Sequence, residues 1–327
     1  MRRRDFVRAA ATAMVGSVGG LSHASAQAAY PSNPVRLVVP YPPGGVVDVL
    51  ARQWADRVGQ SFGKVYVENT GGGGGTIGAS RVARAAPDGY TLLFGETSCL
   101  VIAPSLMAKP PYDPGTDFEP VSLVATSSTS IVVHPSVPAR TLAEFIAYAK
   151  ANPGKLSYGS SGVGTVTHLA GELFKQLAGV DMLHVPYRGI GPATTDTMGG
   201  TIPVMTPNIT TGLLSLHEAG TLRILAICAP NRFRSAPDIP TAAETLPGMV
   251  MQLTAGVAAP PATPTSIIGK LAEASERASR DAEFLKSLEN AGAESRSEAS
   301  PANAKSFWAN ERARLLPLIR SAGLQPQ

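Results

Sequence analysis

The sequence predicts an α/β protein built as two lobes with a cleft between them. Three observations carry this. Short apolar runs alternate with amphipathic stretches, the alternation starts again after a proline-rich connector from Pro104 to Pro120, and no long flexible linker separates the two halves. Short hinge strands must therefore cross between the lobes, and the cleft is the default place for a site.

Each element has a local reason. Val35 to Val39 is an apolar run broken only by Arg36 and reads as a strand. The turn Pro40-Tyr41-Pro42-Pro43-Gly44-Gly45 ends it. Val46 to about Gln60 follows as a helix, because Val47, Leu50, Ala51, Trp54, Ala55 and Val58 recur every three or four residues and make one buried face. Lys64 to Glu68 is a second strand, Ile77 to Ala86 a helix and Tyr90 to Phe94 a third strand. This βαβαβ order predicts a parallel sheet with helices on both faces. Past the connector, Val121 to Ala125 and Ser130 to His134 read as strands and Leu142 to Ala151 as a helix. Leu156 to Gly159 is a strand running into Ser160-Ser161-Gly162-Val163-Gly164-Thr165. The spacing of His168, Leu169, Glu172, Leu173 and Gln176 predicts a helix from Thr165 to about Leu177. Met182 to Val185, Ile202 to Met205 and Leu222 to Cys228 are further strands, and Thr265 to Arg280, Ala282 to Ala291 and Ala302 to Ala322 are helices.

Composition excludes whole classes. At 327 residues, 44% hydrophobic and with mean hydropathy +0.07, the chain is too long and too apolar for a disordered segment or a disulfide-stapled mini-protein. The net charge of +4 invites a nucleic-acid reading until it is apportioned: Arg2, Arg3, Arg4 and Arg8 against Asp5 supply +3, leaving about +1. Elsewhere the basic residues are dispersed with few aromatics beside them, so no nucleic-acid partner is expected. The charged start leads into an uncharged stretch from Ala9 to Gly20 and then Ala24-Ser25-Ala26, small residues where a signal peptidase cuts. Residues 1–26 read as a signal peptide cleaved near Ala26, and the mature chain works outside the cytoplasm. Arg3-Arg4-Asp5-Phe6-Val7-Arg8 also resembles a twin-arginine export signal. No later run approaches the ~20 apolar residues of a transmembrane helix. Cys99 and Cys228 are read as two buried free thiols rather than a bridge. His134, His168, His184 and His217 show no ligand spacing, so neither a metal nor a cofactor is expected.

The sites worth attention are the two strand-to-helix turns. A helix N-terminus leaves about four backbone N–H groups without intrahelical partners and carries roughly half a positive charge, so anions bind there. Pro42-Pro43-Gly44-Gly45 opens one helix, and Ser160-Ser161-Gly162-Val163-Gly164-Thr165 opens another with added hydroxyls. Each turn is either a well-built cap or a ligand site. Facing each other across a cleft they make two anion sockets, suited to a small dicarboxylate. Asp48 admits two readings as well, a ligand group or a first-turn acid that stabilises the helix dipole.

Other chemistries fit poorly. Gly73-Gly74-Gly75-Thr76-Ile77-Gly78 satisfies the dinucleotide fingerprint formally, with Glu96 near the distance of a ribose partner, but five consecutive glycines from Gly71 satisfy such patterns cheaply. That run reads instead as a mobile loop lining the cleft or a tight turn over it. Ser161 has Gly159 before it but Val163 after, so the nucleophile elbow fails, and no P-loop occurs. His168 and His184 could act as bases near Ser160, yet nothing fixes a third partner.

Several segments carry a resemblance. Tyr30 to Gly45, Ala85-Ala86-Pro87-Asp88-Gly89-Tyr90-Thr91-Leu92-Leu93, Pro111-Tyr112-Asp113-Pro114, Val132 to Pro138, Ala151 to Leu156, His168 to Phe174 and His184-Val185-Pro186-Tyr187-Arg188-Gly189 resemble, in order, the Bug-type periplasmic receptors of tripartite tricarboxylate transporters. The resemblance covers essentially the whole mature chain. It implies a two-lobed, type II-like periplasmic binding protein fold that closes on a small organic carboxylate (a di- or tricarboxylate or an aromatic acid) and delivers it to membrane permease subunits, without covalent chemistry. Carried onto this chain, the ligand-binding positions are Tyr41, Gly44 and Gly45 in the first turn, Ser160, Ser161, Gly164 and Thr165 in the second, and Thr97, Ser98 and Asn208 in the other cleft loops.

Departures from the family pattern bear on the ligand. Gly95-Glu96-Thr97-Ser98-Cys99-Leu100 stands where Gly-Thr-Ser-Gly-Thr-His is common, and Thr206-Pro207-Asn208 where Phe-Asp-Asn is common. The acid lost at Pro207 argues against an amino-acid ligand unless Glu96 replaces it. Cys99, Leu100 and Pro207 suggest a less polar pocket, for an aromatic or longer-chain acid. The expected organisation is residues 27–122 as the N-terminal part of the first lobe, 123–232 as the second, and 233–327 returning mainly to the first. The expected state is a periplasmic monomer. An exported hydrolase-type enzyme and a signalling co-receptor of the same fold are the alternatives.

Overall fold

The computed structural model describes residues 30–233, 235–296, 300–321 and 324, so the signal-peptide reading of residues 1–26 lies outside the described residues. In chain order the elements are β1 (Val35–Val39), α1 (Val46–Phe62), β2 (Val65–Asn69), α2 (Thr76–Ala83), β3 (Thr91–Glu96), α3 (Ala103–Ser105), β4 (Glu119–Ser128) and β5 (Ser130–Val133). There follow α4 (Leu142–Ala151), β6 (Leu156–Ser160), α5 (Val166–Ala178), β7 (Met182–Pro186), α6 (Ile190–Met198), β8 (Val204–Met205), α7 (Thr211–Glu218) and β9 (Arg223–Ile227). The chain continues through α8 (Ala242–Thr245), β10 (Gln252–Ala259), α9 (Thr265–Ser279), α10 (Ala282–Asn290), β11 (Glu294–Ser295) and α11 (Pro301–Ser321).

Two sheets carry the lobes, one ordered β11-β4-β10-β3-β1-β2 and the other β7-β6-β8-β5-β9. Neither is wholly parallel, which corrects the expectation from the βαβ rhythm. β1 pairs in parallel with β2 and β3, and β6 with β7 and β8. β10 instead runs antiparallel between β3 and β4, and β5 antiparallel between β8 and β9. A right-handed crossover helix dictates parallel pairing only for strands that follow one another in the same lobe. β5 and β10 arrive from the other lobe and are free of that constraint.

The crossing is short. β4 passes into β5 through Thr129 alone, whose N–H donates to the Met251 carbonyl at 3.0 Å, while the Cys228 N–H donates to the Thr129 carbonyl at 2.8 Å. Met251 N–H in turn donates to the Cys228 carbonyl at 3.0 Å, so outgoing and returning segments are stitched side by side.

The predicted face of α1 is the buried one. Val47, Leu50, Ala51, Trp54, Ala55 and Val58 all pack inward, each large apolar side chain contributing about 1.5–3 kcal/mol on burial. The Trp54 indole N–H reaches Ser275 Oγ on α9 at 3.2 Å, tying the C-terminal helices to the first sheet. Cys99 and Cys228 are both buried free thiols.

Candidate functional site

Turns at the carboxyl ends of the parallel strands β1, β2, β3, β6 and β7 converge between the two sheets, where ligands of open α/β sheets bind. They line two adjoining cavities of about 980 and 380 Å³ that share Tyr41, Pro42, Pro43, Ser161, Arg188 and Gly189. The glycine run is a tight turn, Gly73–Gly75, and forms one wall of the larger cavity with Gly71 and Gly72.

Of the sequence-predicted positions, Tyr41, Gly44, Gly45, Ser98, Ser161, Thr165 and Asn208 line the smaller cavity, and Gly164 the larger. Thr97 and Ser160 line neither. The Thr97 hydroxyl accepts from Thr254 N–H of β10 at 3.0 Å, locking β3 to the returning strand. Ser160 is fully buried, its hydroxyl 2.7 Å from His184 Nε2 and accepting from Gly162 N–H at 3.1 Å. The apolar walls have other owners than Cys99, Leu100 and Pro207, which line neither cavity. Val47, Val166, Ile190, Pro192 and Leu253 supply them around the smaller cavity.

The two helix ends differ. α1 begins at Gly45 without a side-chain cap, and the amides of Val46 and Val47 hold no hydrogen bond among the described residues while lining the cavity. Gly44, at φ +86°, turns its own N–H back to Asp48 Oδ2 at 3.0 Å. Asp48 is therefore a scaffold acid: it also receives Asn69 Nδ2 at 2.8 Å and Arg52 Nε at 3.0 Å. Burial works to raise its pKa, but the bonds from Arg52, Gly44 and Asn69 outweigh that and hold it below the usual carboxylate range.

The α5 end is largely occupied by the protein's own groups. Thr165 Oγ1 caps His168 N–H at 3.2 Å, and the Val166 amide donates to Ser98 Oγ at 2.9 Å, a bond that crosses from the second lobe to the first. Gly164 N–H points to His168 Nδ1 at 3.4 Å, and Ser161 N–H to Thr167 Oγ1 at 2.9 Å. Two anion sockets facing each other are the expectation; one open and one largely self-capped helix end are found. Closure is tight here, because a Cβ on Gly74 would meet the Val163 carbonyl at 2.9 Å and one on Gly164 would meet Ala103 Cβ at 3.0 Å.

Beneath this turn, the His168 and His184 rings stack with centroids 4.0 Å apart, and Tyr158 stacks on His184 at 4.9 Å. Burial pushes His168 down to about 4 and His184 to about 3, so both imidazoles are neutral at pH 7. No carboxylate among the described residues bonds either ring, and Ser160 is walled off from both cavities. A serine–histidine pair exists, but it faces no substrate space.

Glu96 and Arg188 set the cavity's charge. Glu96 is completely buried at the end of β3 and contributes to the wall of the smaller cavity. Its carboxylate accepts Tyr41 Oη–H, Ser98 N–H at 2.6 Å and Cys99 N–H at 3.2 Å. Burial raises its pKa, offset in part by these bonds; burial first, and then the neighbouring carboxylate, push the Tyr41 phenol well above its ordinary value. Arg188, between β7 and α6, is exposed and lines both cavities, with no acid among the described residues paired to it. The sequence carries little sign of its role: Ile190–Met198 is rich in threonine, with a glycine and a proline and no apolar stripe, so neither α6 nor the turn before it is legible there.

A family profile described as "Tripartite tricarboxylate transporter family receptor" matches residues 47–324. The curated protein BugT of Bordetella pertussis (strain Tohama I) is 35% identical over 297 residues, 90% of each chain. Among solved structures, the periplasmic binding protein BugD superposes with a TM-score of 0.85 at 33% identity, over 91% of this chain and 100% of that one. An R. palustris protein with adipate superposes with a TM-score of 0.87 at 33% identity, with the same coverage.

Proposed function

This chain belongs to the tripartite tricarboxylate transporter receptor family, and we propose that it is a periplasmic receptor that closes on a small organic carboxylate and delivers it, chemically unchanged, to the membrane permease subunits of such a transporter. The observation that carries the carboxylate reading is the pairing, in one cavity between the lobes, of the uncapped start of α1 with the unpaired Arg188 guanidinium. Open amides and a cation facing the same space match an anion's oxygens without dehydrating a buried charge partner of their own. The R. palustris relative with adipate supports the ligand class. Gly44, Gly45, Ser161, Thr165 and Asn208 shape this pocket, Ser98 bridges it to the second lobe, and Tyr41 buttresses it through Glu96. The chain acts as a monomer, exported after cleavage near Ala26.

Among the described residues, the serine–histidine contact near the site, Ser160 with His184, has its serine buried and lining neither cavity, which favours binding over catalysis. Titration calorimetry of the purified mature chain against aliphatic and aromatic carboxylates tests the reading, with mass spectrometry of the recovered ligand. Saturable one-to-one binding with the ligand returned intact is expected; turnover, or binding of none of the acids, rejects it.

A further inference from the structure

We propose that Glu96 is a resident carboxylate of the pocket that restricts the ligand to one carboxylate group with an uncharged far end. This rests on the carboxylate-receptor reading and specifies its substrate class.

Glu96 is fully buried in the wall of the smaller cavity, and no lysine or arginine among the described residues pairs with it. Among the described residues its carboxylate is bonded by the Tyr41 hydroxyl and the Ser98 and Cys99 amides, with the Ser98 hydroxyl beside it. A carboxylate offers about four acceptor directions, and three are filled by these donors, leaving little for a ligand group to bond. On the same cavity the charge available to an incoming ligand is one cation, Arg188, beside the open Val46 and Val47 amides. One carboxylate satisfies that set. A second would be desolvated against Val47, Ile190, Pro192 and Leu253 while facing Glu96, a like charge in a low-dielectric wall. An ammonium at that end would be attracted by the same charge, but it would find little acceptor capacity left on Glu96 and would be desolvated against the same apolar wall, with most of its N–H groups unbonded. The uncharged end is the one the surface accommodates.

Matched ligand series separate the causes: hexanoate, adipate and 6-aminohexanoate share a chain and differ at the far end, as do benzoate and terephthalate. Calorimetry on the wild-type mature chain should show the monocarboxylate of at least one series binding tenfold or more tighter than its dicarboxylate. In Glu96→Gln that ratio should fall to threefold or less through a gain for the dicarboxylate. A wild-type ratio near one or reversed overturns the proposal without needing the variant to fold. So does an unchanged ratio in a folded Glu96→Gln, or a preference for 6-aminohexanoate that this variant loses. If dicarboxylates bind best, the receptor reading stands while this inference fails; if no acid of either series binds, both fall.

Discussion

Arg188 is a cation of the cavity wall that pairs with no acid among the described residues, so its removal should act on ligand affinity and leave the fold alone. Arg188→Ala is expected to weaken carboxylate binding about tenfold or more, in line with the ~1.5–3 kcal/mol of a hydrogen bond to a charged group. The wild type should also lose affinity more steeply with added salt than the variant does. Calorimetry at two ionic strengths measures both, and equal salt slopes would remove Arg188 from the anion's partners. His168 gives a second residue-scale expectation. Its pKa in the fold is about 4, below the ~6.5 of an unfolded histidine, so the unfolded chain takes up the proton first. Stability present above pH 6.5 is therefore lost as pH falls towards 4, at up to about 1.4 kcal/mol per unit. His184 adds to the effect in the same direction. Melting curves between pH 7.5 and 4.5 should fall less steeply for His168→Gln than for the wild type. Parallel curves would show that the stacked pair does not govern acid sensitivity.

At the scale of elements, the turns that open α1 and α5 divide the work. The first presents open amides, whereas the second is fastened by Thr165, Ser98 and His168 and serves as a contact surface for lobe closure. Gly164 has φ +79° and lies where a Cβ would press on Ala103, so no other residue fits both its backbone and its neighbour. Gly164→Val should hold the lobes apart: small-angle scattering with saturating ligand is expected to report a larger radius of gyration than the liganded wild type, with affinity reduced at least tenfold. A variant that compacts normally on ligand addition would place the closing contact elsewhere. The β3 end shows the same division on the other lobe. Glu96 fastens the start of the Ser98–Ile102 helical turn, and Ser98 reaches across the cleft to Val166.

For the whole molecule, a ligand held between two lobes binds the folded state alone, so a carboxylate at one hundred times its Kd should add about 2.7 kcal/mol to stability. A concentration-dependent rise in melting temperature checks this, and an acid shown to bind by calorimetry without raising it would contradict binding across the cleft. Apolar periodicity is local, so most of the two-lobed plan is legible in the chain. The buried face of α1, the existence of α5 and the runs of β1 and β3 are written within ten or so residues each, although Gln176, spaced with the α5 apolar positions, is exposed and Phe174 is buried in its place. The sequence also marks the turns after β1, β3 and β6 as cleft loops, through their glycines and hydroxyls and through the family resemblance. β10 escaped notice, since Gln252–Ala259 is built largely from alanine, glycine and threonine, with little strand preference of its own, and exists as a strand because β3 and β4 flank it. Long-range assembly alone fixes that β5 and β10 run antiparallel, that Thr97 and Ser160 line neither cavity, that one helix end is open while the other is capped, and that Arg188 and Glu96 line one cavity. Those outcomes depend on which groups distant segments bring within hydrogen-bonding reach, and spacing along a chain does not encode that.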